Sequence, residues 1–519
     1  MPFVQDMPFS LAIDGLSAWM LVTVAVILAA VLVFAAGDIG PEPRFYVLML
    51  VFAAAMAVTV TATNIVTLLI GWEVMGAMSY ALIAYWWHEP RRASSGAVAF
   101  LTTRAGDLGL YLAAGAAFAQ GTTDLTGLHG DLVAAGIVLA ALGKSAQLPF
   151  SFWLSRAMDG PSPVSALLHS ATMVAAGAYL LLRVNPLLHD TGWAAPLVAW
   201  IGVGTALVLG VVAVAQNDLK QMLAASTCSQ VGFMVLAAGT GGVRAGTAHL
   251  VAHAATKSLL FLAAGAWLTL LGTKDLTELR GAARRYPLIG ITFTVGALSL
   301  AGVPPLSLWI TKDAILGTAP TAIHIVGLAA VVVSGVYVGR ALQHVWSGRP
   351  EPAKAHVLLQ VPLPFLAATA AVFGLVTAAQ LDLTWWDLVL SGTLAGSGIV
   401  WGRARFRPPT LLGHWLGLEQ AARVLVVRPT MALATALARF DDKAVDGGVR
   451  AAAATGDLFA KVASGRVEIT VDGVVARVAR AAKALGRWAR RPQTGQLHHY
   501  YAQAAVALVL LAVLLMIVR

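Results

Sequence analysis

Cysteine occurs once in this sequence, at Cys228, so the chain can form neither an internal disulfide nor a cysteine-ligated iron–sulfur cluster. Charge is nearly as scarce. Asp, Glu, Lys and Arg make up 12% of the 519 residues, against about 25% in a water-soluble domain. No glycine-rich dinucleotide fingerprint follows a strand, and the 12 histidines contain no HExxH spacing. No redox cofactor and no metal site are therefore expected in this chain. The opening "MPFVQDMPFSLAIDG" lacks a basic region followed by a cleavage site, which predicts no signal peptide.

Apolar residues fill the space left by charge: 58% of the chain is hydrophobic and the mean hydropathy is +0.78. Such a surface cannot face water, so lipid is the expected solvent. The apolar runs are about 18–25 residues long, the length of a helix crossing a hydrocarbon core of about 30 Å. Alternating strands of the kind that line a barrel are lacking. The expected fold is an all-α polytopic membrane protein with about 14 transmembrane helices. They fall near 10–36, 43–62, 65–87, 95–119, 131–159, 162–183, 194–215, 220–239, 245–272, 286–318, 321–345, 357–378, 385–402 and 499–518. Two of these spans are long and interrupted, at Pro149 in "ALGKSAQLPFSFW" and at Pro304 and Pro305 in "SLAGVPPLSLWITKD". A broken helix at membrane depth must be lined by protein or water. Breaks in corresponding places point to two inverted repeats around a transport path.

The net charge of +10 reads as loop charge rather than as a nucleic-acid surface. Alternate loops through the tenth span carry Arg44, Arg91, Arg92, Arg156, Lys220, Lys274, Arg280, Arg284 and Arg285, while the intervening loops carry only Arg183 and Arg244. The first set is assigned to the cytoplasm. A bacterial inner-membrane protein with both termini outside is expected. The chain divides into N-terminal helices (1–64), a core (65–345), further membrane helices (346–402), a basic Ala-rich segment (403–498) and a final return helix (499–519). The segment 403–498 mixes charged and apolar residues at helical spacing, which predicts a lateral amphipathic segment on the cytoplasmic side. If mostly helical, about 75 residues would extend roughly 110 Å. Gly447, Gly448 and the β-branched run at 467–471 argue against one uninterrupted helix.

Chemistry is concentrated in a few charges inside apolar runs: Glu73, Lys144, Lys257 and Lys312. A lysine or aspartate at mid-membrane costs about 2.5–3.5 kcal/mol, so four such groups, unpaired, would cost on the order of 10 kcal/mol. Burial disfavours the charged form of either kind of group. Such side chains can take up and release protons as neighbouring charges change, which is what a proton pump requires. The bland alternative for each is a static, paired anchor. His249, His253 and Lys257 recur every fourth residue and share one helix face. A metal site is the competing reading of the histidine pair, and the span offers no cysteine or carboxylate to complete it. His169, among Ser165, Ser170 and Thr172, reads either as a relay or as a packing residue. Arg104 and Asp107 lie one turn apart, either as a neutralised pair or with Asp107 tuning Lys144.

At these residues the sequence resembles a known family. "LLIGWEVMGAMSYALIAYWW", "TTRAGDLGLY", "GKSAQLPFSFWLSRAMDGPSPVSALLHSATMVAAGAYLL", "QNDLKQMLAASTCSQVGFM", "HLVAHAATKSLLFLAAG" and "SLAGVPPLSLWITKDAIL" look like the proton-conducting module of complex I antiporter-like subunits and Mrp-type antiporters. The likeness runs from about residue 13 to 345 and is most specific to the L-type, or subunit 5-type, member. The resemblance implies proton transfer through Glu73, Lys144, His169, His249, His253, Lys257, Lys312 and Asp313. It also implies a Glu73–Lys144 ion pair, Lys257 as central relay and Lys312 before the exit. The implied role is a membrane subunit of NADH:quinone oxidoreductase, partnered by other membrane-arm subunits and using no cofactor of its own. The alternatives are a DAB-type inorganic-carbon uptake subunit and an Mrp-type antiporter subunit. The family usually carries two more helices before the point where "IDGLS" stands here.

Overall fold

The computed structural model describes residues 2–4, 7–404, 409–464, 472–491, 493 and 495–518. Apart from a short antiparallel pair, Pro2–Val4 with Met7–Pro8, its regular structure is helical. The chain forms two compact units, Met1–Ala421 and Ala422–Arg519. The first ends some twenty residues beyond position 402, where composition alone sets the boundary.

In the first unit the helices run α1 (Gly15–Asp38), α2 (Pro43–Thr61), α3 (Ile65–Ile83), α4 (Pro90–Ala119), α5 (Asp131–Lys144) and α6 (Phe152–Ala157). Next come α7 (Ser162–Ser170), α8 (Met173–Arg183), α9 (Asn185–Asp190), α10 (Ala194–Ala215), α11 (Leu219–Gly239) and α12 (Val243–Leu271). The unit continues with α13 (Ala282–Arg285), α14 (Pro287–Ala301), α15 (Ser307–Gly317), α16 (Thr321–Trp346), α17 (Pro362–Thr377) and α18 (Trp385–Gly402). Local signals set several starts. Asp14 and Ser17 cap α1 reciprocally, each bond at 2.8 Å, and Asn64 and Asp218 cap α3 and α11. Proline stands at the start of α2, α4 and α14, where its missing N–H costs nothing.

Among the described residues, eleven helical stretches are long and apolar enough to cross a membrane. Ten coincide with expected spans. The expected spans at 95–119, 131–159, 286–318 and 385–402 do not qualify by themselves, and two of these are the broken ones. The eleventh, Trp415–Lys461, falls where an amphipathic surface segment is expected. α7 with α8, and α11, are wholly enclosed, whereas only 44% of α1 and 50% of α3 are buried. The enclosed helices form the centre, and the outer helices present apolar residues such as Leu101, Leu108 and Ile325 outward, as a lipid-facing wall does.

Both breaks lie where proline predicts them, and side chains take up the freed backbone groups. After α5, Trp153 Nε1 donates to the Gly143 carbonyl at 2.9 Å and Ser145 Oγ to that of Val174 at 2.9 Å. Gln147 Nε2 donates to the Ser145 carbonyl at 2.9 Å. Between α14 and α15, Gly302 takes φ +89°, a left-handed conformation open to glycine. A third interruption, at Ala171 and Thr172, divides the single span expected at 162–183. It follows directly on His169 and Ser170.

The second unit carries α21 (Arg428–Phe440), α22 (Asp446–Ser464), α23 (Asp472–Arg490) and α24 (Leu497–Ile517), after the short α19 (Thr410–Gly413) and α20 (Leu418–Ala422) that lead into it. Its described side chains are almost all exposed. The segment is not a single extended rod. Arg490 at the end of α23 pairs with Asp446 at the start of α22, at 2.7 Å, so the chain doubles back. Gly447 and Gly448 lie within α22 without interrupting it. The β-branched run at 467–471 lies outside the described residues.

Candidate functional site

The site begins where two glycines let two helices touch. A Cβ on Gly106 of α4 would stand 3.1 Å from the Cα of Gly143 on α5, tighter than an ordinary contact, so glycine at both positions favours this approach. Gly106 precedes Asp107, and Gly143 precedes Lys144, so the backbone contact carries the two charges together. Lys144 Nζ lies 3.1 Å from Asp107 Oδ2, with the side chains 0% and 2% exposed. The other carboxylate oxygen accepts from Trp72 Nε1 at 2.5 Å, and Lys144 Nζ stands 5.1 Å from the centre of the Trp72 ring.

This geometry corrects one expectation and decides between two others. Glu73 does not pair with Lys144, and of the two readings of Asp107 the structure has the one beside Lys144, not the pair with Arg104. Arg104 instead forms an ion pair with Glu73, and Asp107 takes Lys144. The exchange follows from helix direction: Glu73 lies on the partly open side of α3, where its side chain is 24% exposed, while Trp72 and Gly76 face inward. A Cβ on Gly76 would approach Lys144 Nζ to 3.2 Å. Lys144 thus passes α3 within one turn of Glu73 while bonded to Asp107.

Lys257 is the midpoint of α12. Its Nζ donates to Ser226 Oγ at 2.5 Å and to the Leu223 carbonyl at 3.0 Å, both on α11. No carboxylate pairs with it among the described residues. His253 Nδ1 is 3.1 Å from the Ser170 carbonyl, and the Ser170 hydroxyl meets that of Ser258 at 2.6 Å. His249 Nδ1 meets Thr311 Oγ1 at 2.9 Å, and its ring lies 6.4 Å from that of His253. His169 is fully buried between Trp153 and Phe261. Both of its ring nitrogens, and Nε2 of His249 and His253, have no hydrogen-bond partner among the described residues. Buried polar atoms ordinarily find partners, so these unpartnered ring nitrogens set the three histidines apart in an apolar centre.

Lys312 on α15 donates to the Leu300 carbonyl exposed by the second break, at 2.6 Å, and stands 5.7 Å from the ring of Phe233 on α11. Asp313 points elsewhere, toward the Ser391 hydroxyl on α18 with His324 and Asp387 nearby. The two adjacent residues therefore belong to different surroundings. Lys144, His169, Lys257, His253, His249 and Lys312 line the centre; Glu73 and Arg104 flank it; Asp313 lies behind it. Lys220, counted among loop charges in the sequence, is 2% exposed in the first turn of α11. Its place just after the Asp218 cap reads as a loop charge, and no spacing in the sequence marks it as an interior one. No group of three or more His, Cys, Asp or Glu is gathered for metal binding among the described residues.

A membrane-enclosed helical unit with charged side chains filing through broken helices is the build of an antiporter-like membrane subunit. The chain belongs to the NADH:quinone oxidoreductase/Mrp antiporter transmembrane family, which matches residues 62–337. It is 31% identical over 555 aligned positions to the NADH-quinone oxidoreductase subunit L of Mycobacterium tuberculosis, covering 98% of this chain and 87% of that one. It is 37% identical over 363 positions to the NAD(P)H-quinone oxidoreductase chain 5 of Picosynechococcus sp., covering 63% of this chain and 54% of the relative. The match thus spans about half the length of that relative, and 50% of the Zygnema circumcarinatum chloroplast subunit 5. Among solved structures, the Mrp complex from Dietzia sp. is similar over 100% of this chain and 57% of its own, with TM-score 0.66 and 27% identity.

Proposed function

We propose that this chain is the proton-translocating, L-type membrane subunit of a complex I-type NADH:quinone oxidoreductase. The observation that carries the reading is Lys257, a fully buried amine at the middle of an enclosed helix with only hydroxyl and carbonyl partners. A static anchor would be expected to hold a counter-charge, because an unpaired buried ion is costly. The likeness to subunit L over 98% of the chain, tail included, supports the same reading.

Quinone reduction in partner subunits shifts the charge balance along the membrane arm. Lys144 then exchanges between Asp107 and Glu73, the altered field changes the protonation of Lys257, and a proton leaves past His253, His249 and Lys312. The electrons travel elsewhere, and this chain contributes no redox cofactor. The protein sits in a bacterial cytoplasmic membrane with both termini outside and residues 403–498 at the cytoplasmic face, where the tail holds neighbouring membrane subunits. A second reading, a subunit of an Mrp-type cation/proton antiporter, is favoured by the fold likeness to the Dietzia complex.

The test is Lys257→Met in the assembled complex, in inverted membrane vesicles. NADH-driven proton uptake should fall to background with normal amounts of complex on native gels. Undiminished uptake overturns the proposal. Sodium-driven proton movement without NADH oxidation would favour the antiporter.

A further inference from the structure

Lys220 is a buried amine that none of the steps above uses. Its Nζ donates to the Gly160 carbonyl at 3.0 Å. It lines a cavity of about 370 Å³ with Asp38, Asp159, Ser162, Thr269 and Lys274. These residues come from the end of α1, the loop before α7, the start of α7, the last turns of α12 and the loop after it. Arg91 and Arg92 stand at the same cavity, so charges from several loops assigned to one membrane side converge here. The carboxylates that face Lys220 are themselves held by others. Asp159 pairs with Arg91 at 3.0 Å and accepts from Ser95 at 2.7 Å, Asp38 accepts from Thr269, and Asp218 pairs with Lys274 at 2.8 Å. None of them is committed to Lys220.

Two routes lead inward from this point. Along α11, Lys220 lies six residues, about 9 Å, before Ser226, whose hydroxyl is bonded to Lys257. Along α7, Ser162 at the cavity is followed at helical spacing by Ser165 and His169, all buried. His169 adjoins Ser170, which touches His253 and Ser258. The cavity therefore opens toward the central file at Lys220 on α11 and at Ser162 on α7, and of these only Lys220 carries a titratable side chain.

We infer that Lys220 is the proton-uptake residue of this chain, taking protons from the charged cavity and handing them inward to the Lys257 relay. The inference rests on the proton-translocating reading. In each cycle the neutral amine accepts a proton from cavity water, becomes an ammonium ion and returns to the amine when the proton passes on. The bland alternative is a lysine that only anchors the loop at Gly160.

Lys220→Arg separates the two. A guanidinium keeps the charge and the hydrogen bond to Gly160, yet does not release its proton. A proton carrier so altered should slow translocation roughly 100-fold, with complex abundance unchanged; an anchor should lose nothing. Lys220→Cys in a Cys228→Ala background gives a second measurement. Aminoethyl methanethiosulfonate, which rebuilds a primary amine, should restore NADH-driven proton uptake when applied from the cytoplasmic side, and methyl methanethiosulfonate should not. Full activity of Lys220→Arg, rescue by the methyl reagent, or rescue from the opposite side alone overturns the inference. Lys257→Met run in parallel distinguishes the failures. If it too keeps full uptake, the proton-translocating reading falls; if it is inactive while Lys220→Arg is fully active, only the role of Lys220 falls.

Discussion

Lys144 and Asp107 meet 3.1 Å apart in the interior, almost wholly removed from lipid and water, at the point where Gly106 and Gly143 let α4 and α5 touch. Breaking a buried pair from one side leaves an uncompensated charge and costs about 3–5 kcal/mol, whereas removing both partners is often near neutral. Asp107→Ala should therefore lower the thermal stability of the detergent-solubilised complex, and Asp107→Ala with Lys144→Met should recover most of the loss. Glu73→Gln should cost less than Asp107→Ala, because Glu73 is partly exposed. Equal losses for the two single variants would contradict this arrangement.

Trp72 holds the second oxygen of Asp107 at 2.5 Å. Trp72→Phe keeps the ring over Lys144 but leaves that oxygen without its donor, at about 1–3 kcal/mol. A melting curve in detergent should shift downward, and proton uptake should slow without being lost. A variant indistinguishable from the parent in both measurements would remove Trp72 from the site.

Lys144→Ala should stop coupled proton movement while the complex still assembles. Asp107 keeps its bond from Trp72 and the contact of Gly106 with Gly143 does not involve the Lys144 side chain, so the loss need not unfold α4 and α5. Vesicle pumping scored against abundance on native gels checks this. Undiminished pumping excludes Lys144 from the path.

Arg450→Cys and Arg480→Cys should react with impermeant thiol reagents from the cytoplasmic face only. Trp415–Lys461 is long and apolar enough to cross a membrane, yet Asp446, Arg450, Asp457 and Lys461 recur along α22 with exposed side chains for the last three, as on a helix lying at the interface. Labelling of either position from outside would make that stretch a span.

Deleting residues 422–519 should weaken association with adjacent membrane subunits more than it harms the first unit, which is compact in itself. Recovery of all partners by the truncated chain, in a pull-down from mild detergent, would reduce the tail to a surface segment.

Apolar run length located most spans, because the bilayer imposes one length on every helix that crosses it. Proline located two of the three breaks, since it removes a backbone donor wherever it stands. The third, after Ser170, carries no such mark: Thr172 Oγ1 bonds to the Leu167 carbonyl at 2.7 Å, a local competition with the helix that a Ser or Thr in the sequence only permits. Lys220 was hidden for a related reason. A lysine just after a helix cap reads as a loop charge, and only the packing of α1, α7 and α12 around it makes it an interior one.

The sequence by itself determined the solvent of this protein, the existence of its central helices, the residues Lys144, His169, His249, His253, Lys257 and Lys312, and the family to which they belong. These follow from composition, from a helical period of 3.6 and from the cost of a charge in lipid, all local or additive properties of the chain. Only the tertiary structure decided which charge holds which. Glu73, Arg104, Asp107 and Lys144 allow more than one set of opposite-charge pairs, and Coulomb attraction at short range ranks none of them from residue identity alone. The choice came from the close approach of α4 and α5 at Gly106 and Gly143, which brings Asp107 to Lys144 and leaves Arg104 to Glu73 at the open side.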